Sequence, residues 1–434
     1  MMHTPTRMHV HRRCRHVKRG ILLMAIGSIA ARGPAAWAQP AGSDAGSGSG
    51  SSATDDLDAL NAALSADAAA KPPAPPPAEA RTGPGAGQSM NPDLSFIADF
   101  ALASFSAPNL EAGDHDPHED GFNLQALELA ASKAVDPYFK FNANLNFSKD
   151  GVEIEEAYAT TLDLPYNLQA RAGQFLTQFG RLNATHPHTW DFTDQPFALS
   201  RIFGAEGNRG VGGELSWLTP LPWYVEIIGS VTDPRGDTTA RSFLPSDAAL
   251  TNAWDVETTV AARQFFELSP DLSLLWGLSW AGGPSSLAAD TRSDVFGTDL
   301  YLKFRPITRG SDTIIALQSE WMYRRREQAS GGTLWDVDGY AQLFWRFAQR
   351  WGTAARYEYG SAARVGSVVV VDPLDPTWTR ARHRAAADLT FWPSEFSRLR
   401  AQLQVDDARW LPHPIYAGFL SLELSLGVHG AHKF

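Results

Sequence analysis

From about residue 91 the chain is written in a period of two. Phe139, Phe141, Ala143, Leu145 and Phe147 alternate with Lys140, Asn142, Asn144, Asn146 and Ser148. Leu272, Leu274, Trp276, Leu278 and Trp280 alternate with mostly small residues, and Phe296, Thr298, Leu300, Leu302 and Phe304 with Gly297, Asp299, Tyr301, Lys303 and Arg305. Val337, Gly339, Ala341, Leu343, Trp345 and Phe347 alternate with Asp338, Tyr340, Gln342, Phe344 and Arg346. The last stretch, FLSLELSLGVHGAHKF, puts Leu420, Leu422, Leu424, Leu426 and Val428 on one side and Ser421, Glu423, Ser425 and Gly427 on the other. A period of two predicts β-strands with one greasy and one wet face. Strands of about 9–11 residues are long enough to cross a tilted bilayer. The wet face holds Arg, Asp, Gln and Asn together with bulky Tyr, which suits a water-filled lumen better than the solvent side of a sandwich.

Sixteen such segments lie between residues 94 and 434; fourteen or eighteen also fit, because the fifth and sixth are short. The connections sort independently. After even-numbered segments they are short: AVDP, LPYN, LTPLP, LSPD, PITRGSD, AQR and WPSEF. After odd-numbered segments they are mostly long, the longest being residues 176–210; only SKDG is a tight turn on that side. The expectation is an all-β fold: a transmembrane, antiparallel, up-and-down β-barrel over residues 91–434, with short periplasmic turns, long outer loops and both termini on the periplasmic side. An even count lets the first strand pair with the last, leaving no edge in lipid. Tyr138, Trp217, Trp223, Trp351, Trp392, Trp410 and Phe434, near strand ends, are expected in interfacial girdles.

Ahead of the barrel, residues 1–38 read as a secretory signal peptide: a basic start, a short apolar run from Ile21 to Ala31, and Ala36-Trp37-Ala38 before the cleavage point. Residues 39–90, rich in Ala, Gly, Ser and Pro, read as a low-complexity periplasmic tail. The single cysteine, Cys14, leaves with the signal, so the exported chain has no disulfide. Removing the signal takes seven basic and no acidic residues, which leaves 30 Lys and Arg against 48 Asp and Glu, a charge of −18. That argues against nucleic acid as a partner.

Two stretches carry a resemblance. A closing strand that alternates and ends in Phe434 resembles the C-terminal signature of Gram-negative outer-membrane barrels, which implies recognition by the barrel assembly machinery. VDPYFKFNANLNFSKDGVEIEEAYATTLDLPYNLQARAGQF, followed by FGRLNATHPHTWDF, resembles the porin-like outer-membrane proteins loosely grouped with phosphate-selective porins. The resemblance implies an outer-membrane channel for passive diffusion of small hydrophilic solutes, with the third outer loop as constriction, no cofactor, lipid around it, and a homotrimer by analogy. The lysine clusters that go with phosphate selectivity are not evident, and the long loop has no lysine.

Candidate pore residues follow. In the long loop they are Arg181, Asp191, Asp194, Arg201 and Arg209; on the wet faces of late strands they are Arg305, Arg346, Arg356, Arg398 and Arg400, with Arg384 beside them. Guanidinium groups around a lumen would give a slight lean to anions. The alternative is that they pair with Asp299, Asp338, Glu358 and Asp388 and simply line a wet wall. A second alternative is metal binding or uptake: His115 and His118 in DHDPHEDG, joined by His186 and His188 if the two loops meet, are donors suited to zinc. No GxSxG, HExxH or phosphate loop is present, so an enzyme is not expected.

Overall fold

The computed structural model describes residues 91–427 apart from 150, 237–241, 251 and 311. The signal peptide, the tail and Phe434 lie outside the described residues. The strands, in chain order, are β1 (Asp93–Phe105), β2 (Gly121–Ala134), β3 (Phe139–Ser148), β4 (Gly151–Thr161), β5 (Leu168–Leu176), β6 (Arg209–Leu218), β7 (Tyr224–Thr232), β8 (Glu257–Ser269), β9 (Leu272–Pro284), β10 (Arg292–Phe304), β11 (Ile314–Glu327), β12 (Thr333–Ala348), β13 (Trp351–Gly360), β14 (Arg364–Val365), β15 (Val368–Val369), β16 (Arg382–Ser394), β17 (Ser397–Ala408) and β18 (Ile415–Gly427). β14 and β15 form a two-residue hairpin in an outer loop; the other sixteen make one closed antiparallel barrel. Closure is direct: β1 runs against β18 from Ser95↔Gly427 to Phe105↔Ala417. β13 pairs with β16, so the small hairpin stays out of the wall.

The two faces sort as the alternation requires. Leu278, Phe296, Leu343, Trp345, Leu389, Leu403, Leu420 and Leu424 are exposed on the outside, while Ser279, Gln342, Asp388, Gln402, Gln404 and Ser421 are buried inside. An apolar outer face on a barrel with no open edge is what lipid demands, because closure lets strand amides pair with neighbouring strands and not face hydrocarbon. Tyr138, Trp217, Trp223 and Trp351 are exposed at the short-turn end, as girdle residues should be. Trp392 is not. It has the inward parity of β16, is buried, and stacks edge-on against Phe344. Trp410 packs on Trp378 at 4.8 Å in the outer loops.

Of the register shifts among the described residues, those of β12, β16 and β8 fall at the last residues of the strand, and two lie within the wall. Between Asp99 and Phe100 the β2 partner jumps from Ala126 to Leu124, so Gln125 is an extra residue. Between Asn144 and Leu145 the β4 partner jumps from Glu156 to Ile154, so Glu155 is another. A bulge gives two consecutive residues the same facing. Gln125 with Ala126, and Glu155 with Glu156, are accordingly all buried.

The lumen is narrowed from within. Loop 177–208 lies against inward side chains of β8 to β13 and β16 to β18. Its Phe179, Leu182, Trp190, Leu199, Ile202 and Phe203 cluster with the inward-facing Ala281, Val295, Met322 and Tyr340. Gly297 makes room for this: a Cβ there would sit 2.7 Å from Phe179 Cζ. Gly297→Val should displace that ring and cost about 1–3 kcal/mol by overpacking. A lower thermal midpoint, set against Gly229→Val, whose added Cβ meets nothing within 4 Å, checks it.

Candidate functional site

The long loop is shaped by its prolines and one glycine. Pro187 opens a single 3-10 turn, Pro187–Thr189. Pro196 precedes the one helix of the described residues, α1 (Phe197–Phe203), which ends at Gly204 with φ 96°. All seven residues of α1 are buried. A loop buried this deeply cannot leave its backbone polar groups unmet, and the barrel wall meets them with side chains. Gly180 N donates to Ser279 Oγ (2.9 Å), Leu182 N to Glu320 Oε1 (2.7 Å), Thr193 N to Gln402 Oε1 (2.8 Å) and Phe197 N to Glu358 Oε2 (2.7 Å). In the other direction Arg398 and Arg400 both donate to Trp190 O, at 2.9 and 2.8 Å, and Arg384 donates to Gln195 O at 2.7 Å.

The candidate pore residues are mostly parts of this attachment. Asp194 receives Arg356 at 2.6 Å, Arg384 at 3.0 Å and Gln402 at 2.5 Å. Burial alone would raise its pKa; Arg356 and Arg384 hold it below the ordinary carboxylate value. Arg356 also pairs with Glu358 (2.8 Å) and lies over the Phe192 ring (4.3 Å). Arg201, on α1, donates to Asp338 (2.7 Å) and Ser361 O (2.8 Å) and covers Trp378 at 3.8 Å. Arg398 pairs with Glu423, and Arg400 stands 3.7 Å from Asp388. Arg346 lies over Trp392 at 4.5 Å. Arg209 pairs with Glu206 and Glu153 at the start of β6. Arg305 falls one residue past β10, in the turn, where its Nε donates to Gly310 O. Of the guanidinium wall, Arg346, Arg356, Arg398 and Arg400 are buried beneath the loop and engaged with it or with wall residues. Pairing with Glu358 and Asp388, and of Arg201 with Asp338, is what the structure shows.

Two loop residues differ. Arg181 lies over the Tyr301 ring at 3.7 Å with its Nε 3.4 Å from Gln318 Oε1, and Asp191 accepts from Gln342 at 2.9 Å. Both, with Gln318, Gln342 and Arg356, line a cavity of about 310 Å³. A second cavity of about 320 Å³ lies against β1 to β5 and is lined by Glu128, Asn144, Glu156, Arg171, His186 and His188 among others.

The outer loops do meet. Asp114 N bonds to Ala205 O (3.0 Å), Gln195 N to Asp116 Oδ1 (2.8 Å), and the bulged Gln125 donates to both His115 O and Thr193 O. His115 Nε2 reaches Glu155 Oε1 at 3.0 Å. His186 Nδ1 faces Glu128 (3.4 Å) and Glu155 (3.6 Å), its Nε2 faces Glu156 (3.1 Å), and His188 Nδ1 lies 3.3 Å from Glu128. His118 stays apart, with Nε2 2.8 Å from Gly113 O. Three of the four histidines thus converge, on glutamates that the sequence reading passed over. The signal was there in the run Ile154-Glu155-Glu156, where the alternation breaks. Burial opposes charge on His186, but Glu128, Glu155 and Glu156 overcome it and hold its pKa well above the ordinary value.

No protein-family model matches the sequence. A protein of Aquifex aeolicus (strain VF5), described as uncharacterized, is 32% identical over 391 residues, covering 79% of this chain and 80% of its own length. The chain belongs to the family of that protein. Among solved structures this chain's fold is similar to that of outer-membrane porins. The anion-selective porin from Comamonas acidovorans superposes with a TM-score of 0.50 at 10% identity, over 77% of this chain and 99% of its own. The outer membrane channel DcaP of Acinetobacter baumannii gives 0.50 at 12% identity, over 77% and 97%. At such identities the likeness carries the porin-type fold alone.

Proposed function

We propose that this barrel is a passive channel for small hydrophilic solutes in the outer membrane of a Gram-negative bacterium, with loop 177–208 as its constriction and a slight preference for anions. The observation that carries the reading is a lipid-facing closed barrel whose lumen is narrowed by a packed inner loop, with a cavity of about 310 Å³ beside it that Arg181, Asp191, Gln318 and Gln342 help to line. The anion lean now rests on Arg181 and on the wall cations near it, Arg263, which donates to Gly180 O at 3.0 Å, and Lys303. Asp191 and Asp299 stand among them and keep it slight. Nothing in the loop favours phosphate in particular. Assembly through Phe434 and a homotrimer belong to the same reading.

Purified barrel in a planar bilayer should give discrete conductance steps, and a reversal potential of chloride sign in a potassium chloride gradient. Arg181→Ala should move that potential toward cation preference without altering the fold. A parent barrel that inserts and stays silent would overturn the channel reading.

A further inference from the structure

We propose that Glu128, Glu155 and His186 form a binding site for one divalent transition-metal ion, zinc or manganese by donor type, on the inner wall of the barrel. One ligand atom from each lies within 4.8 Å of the other two. His186 Nδ1 is 3.4 Å from Glu128 Oε1 and 3.6 Å from Glu155 Oε2. Ligands about 2.0–2.2 Å from a tetrahedral ion are separated by about 3.3–3.6 Å, so these two edges already have the right length. An imidazole with two carboxylates is a borderline-to-hard donor set whose two negative charges a divalent ion neutralises.

The surroundings are built in the way metal sites are. His186 must offer the Nδ1 lone pair, so its proton belongs on Nε2, which faces Glu156 Oε2 at 3.1 Å; Asn144 Nδ2 donates to the same carboxylate oxygen at 3.2 Å and holds it in place. A carboxylate behind the ligating histidine fixes the tautomer and strengthens the ligand. His188 at Glu128 and His115 at Glu155 orient the two carboxylates in the same manner. The bulge in β4 is what turns both Glu155 and Glu156 inward, one as ligand and the other as support. Regular pleating would send one of them into lipid. The cavity of about 320 Å³ reaches Glu128, Glu156, His186 and His188, so an ion in the lumen has access.

The inference stands apart from the channel reading, because it is tested by binding and not by conductance. Tag-free, full-length barrel in detergent is titrated with zinc chloride by calorimetry and by equilibrium dialysis. One zinc per chain is expected. His186→Ala and Glu155→Gln should each weaken binding by more than tenfold, Glu156→Gln by about tenfold, and His118→Ala should leave it unchanged. Circular dichroism and heat-modifiable migration confirm that each variant is folded, and X-ray absorption of the zinc-loaded parent should show a mixed nitrogen and oxygen shell. A parent that binds no zinc, or a folded His186→Ala variant with the parent's affinity, would overturn the site.

Discussion

Replacing Glu358 with alanine releases the loop from the barrel wall, raises the unitary conductance, makes it noisier, and destabilises the protein by about 3 kcal/mol, the low end for breaking a buried ion pair. Glu358 joins loop and wall through a backbone amide and two guanidinium groups. Its Oε1 accepts from Arg384 Nε at 2.7 Å and pairs at 2.8 Å with the Arg356 guanidinium, and its Oε2 accepts from Phe197 N at 2.7 Å. Alanine leaves two buried guanidinium groups short of a carboxylate and the first amide of α1 without an acceptor. The low end is expected because Asp194 and Glu111 still hold Arg384, at 3.0 and 2.7 Å. Glu358→Gln keeps an acceptor for Phe197 and loses the charge, so it should fall between. Single-channel recording and the thermal midpoint of heat-modifiable migration together check this. Unchanged values for both would mean that the apolar cluster around Phe203, and not the ion pairs, holds the loop.

The strands were legible because lipid and water sit on opposite sides of one wall. Period two then reports directly on facing, and the strands follow it: the alternation of residues 139–148 is β3, Phe139–Ser148, and that of residues 337–347 falls within β12, Thr333–Ala348. The contents of the lumen were less legible for a physical reason. Facing inward says nothing about what stands opposite. Arg201 and Asp338 are 137 residues apart, Arg384 and Glu111 273 apart, and no local period relates such partners. One clue existed. Ala281, Val295 and Met322 are apolar at inward positions of β9 to β11, which a solvent-filled lumen does not favour and a packed loop requires. Glu155 is hidden differently: a bulge shifts the parity of the rest of the strand, so reading in strict twos assigns one of Glu155 and Glu156 to lipid.

Asp336→Asn should be the more severe lesion, costing about 3–5 kcal/mol and opening the outer loop of residues 361–380 to protease. Arg324 donates to Asp336 through Nε at 3.0 Å and Nη2 at 2.7 Å, Arg326 reaches it at 3.2 Å, and Arg201 Nη2 lies at 3.8 Å. Arg326 continues to Asp372, at 2.5 and 3.1 Å, which ties the outer loop down on β11. The Arg324, Arg326, Asp336 and Asp372 side chains are all fully excluded from solvent. Asparagine keeps the shape of Asp336 and removes the charge that three guanidinium groups share, so the loss is electrostatic and water cannot enter to offset it. A companion variant separates the worth of the charges from that of the space they fill. Asp336→Leu combined with Arg324→Met removes one charge of each sign, and should cost less than Asp336→Asn alone, because Arg326 and Arg201 keep Asp372 and Asp338. Unfolding midpoints in detergent and limited proteolysis decide it. If Asp336→Asn matches the parent in both, the arginines of β11 draw their compensation from Asp338 and Asp372 alone, and the outer loops are held by packing on Trp378.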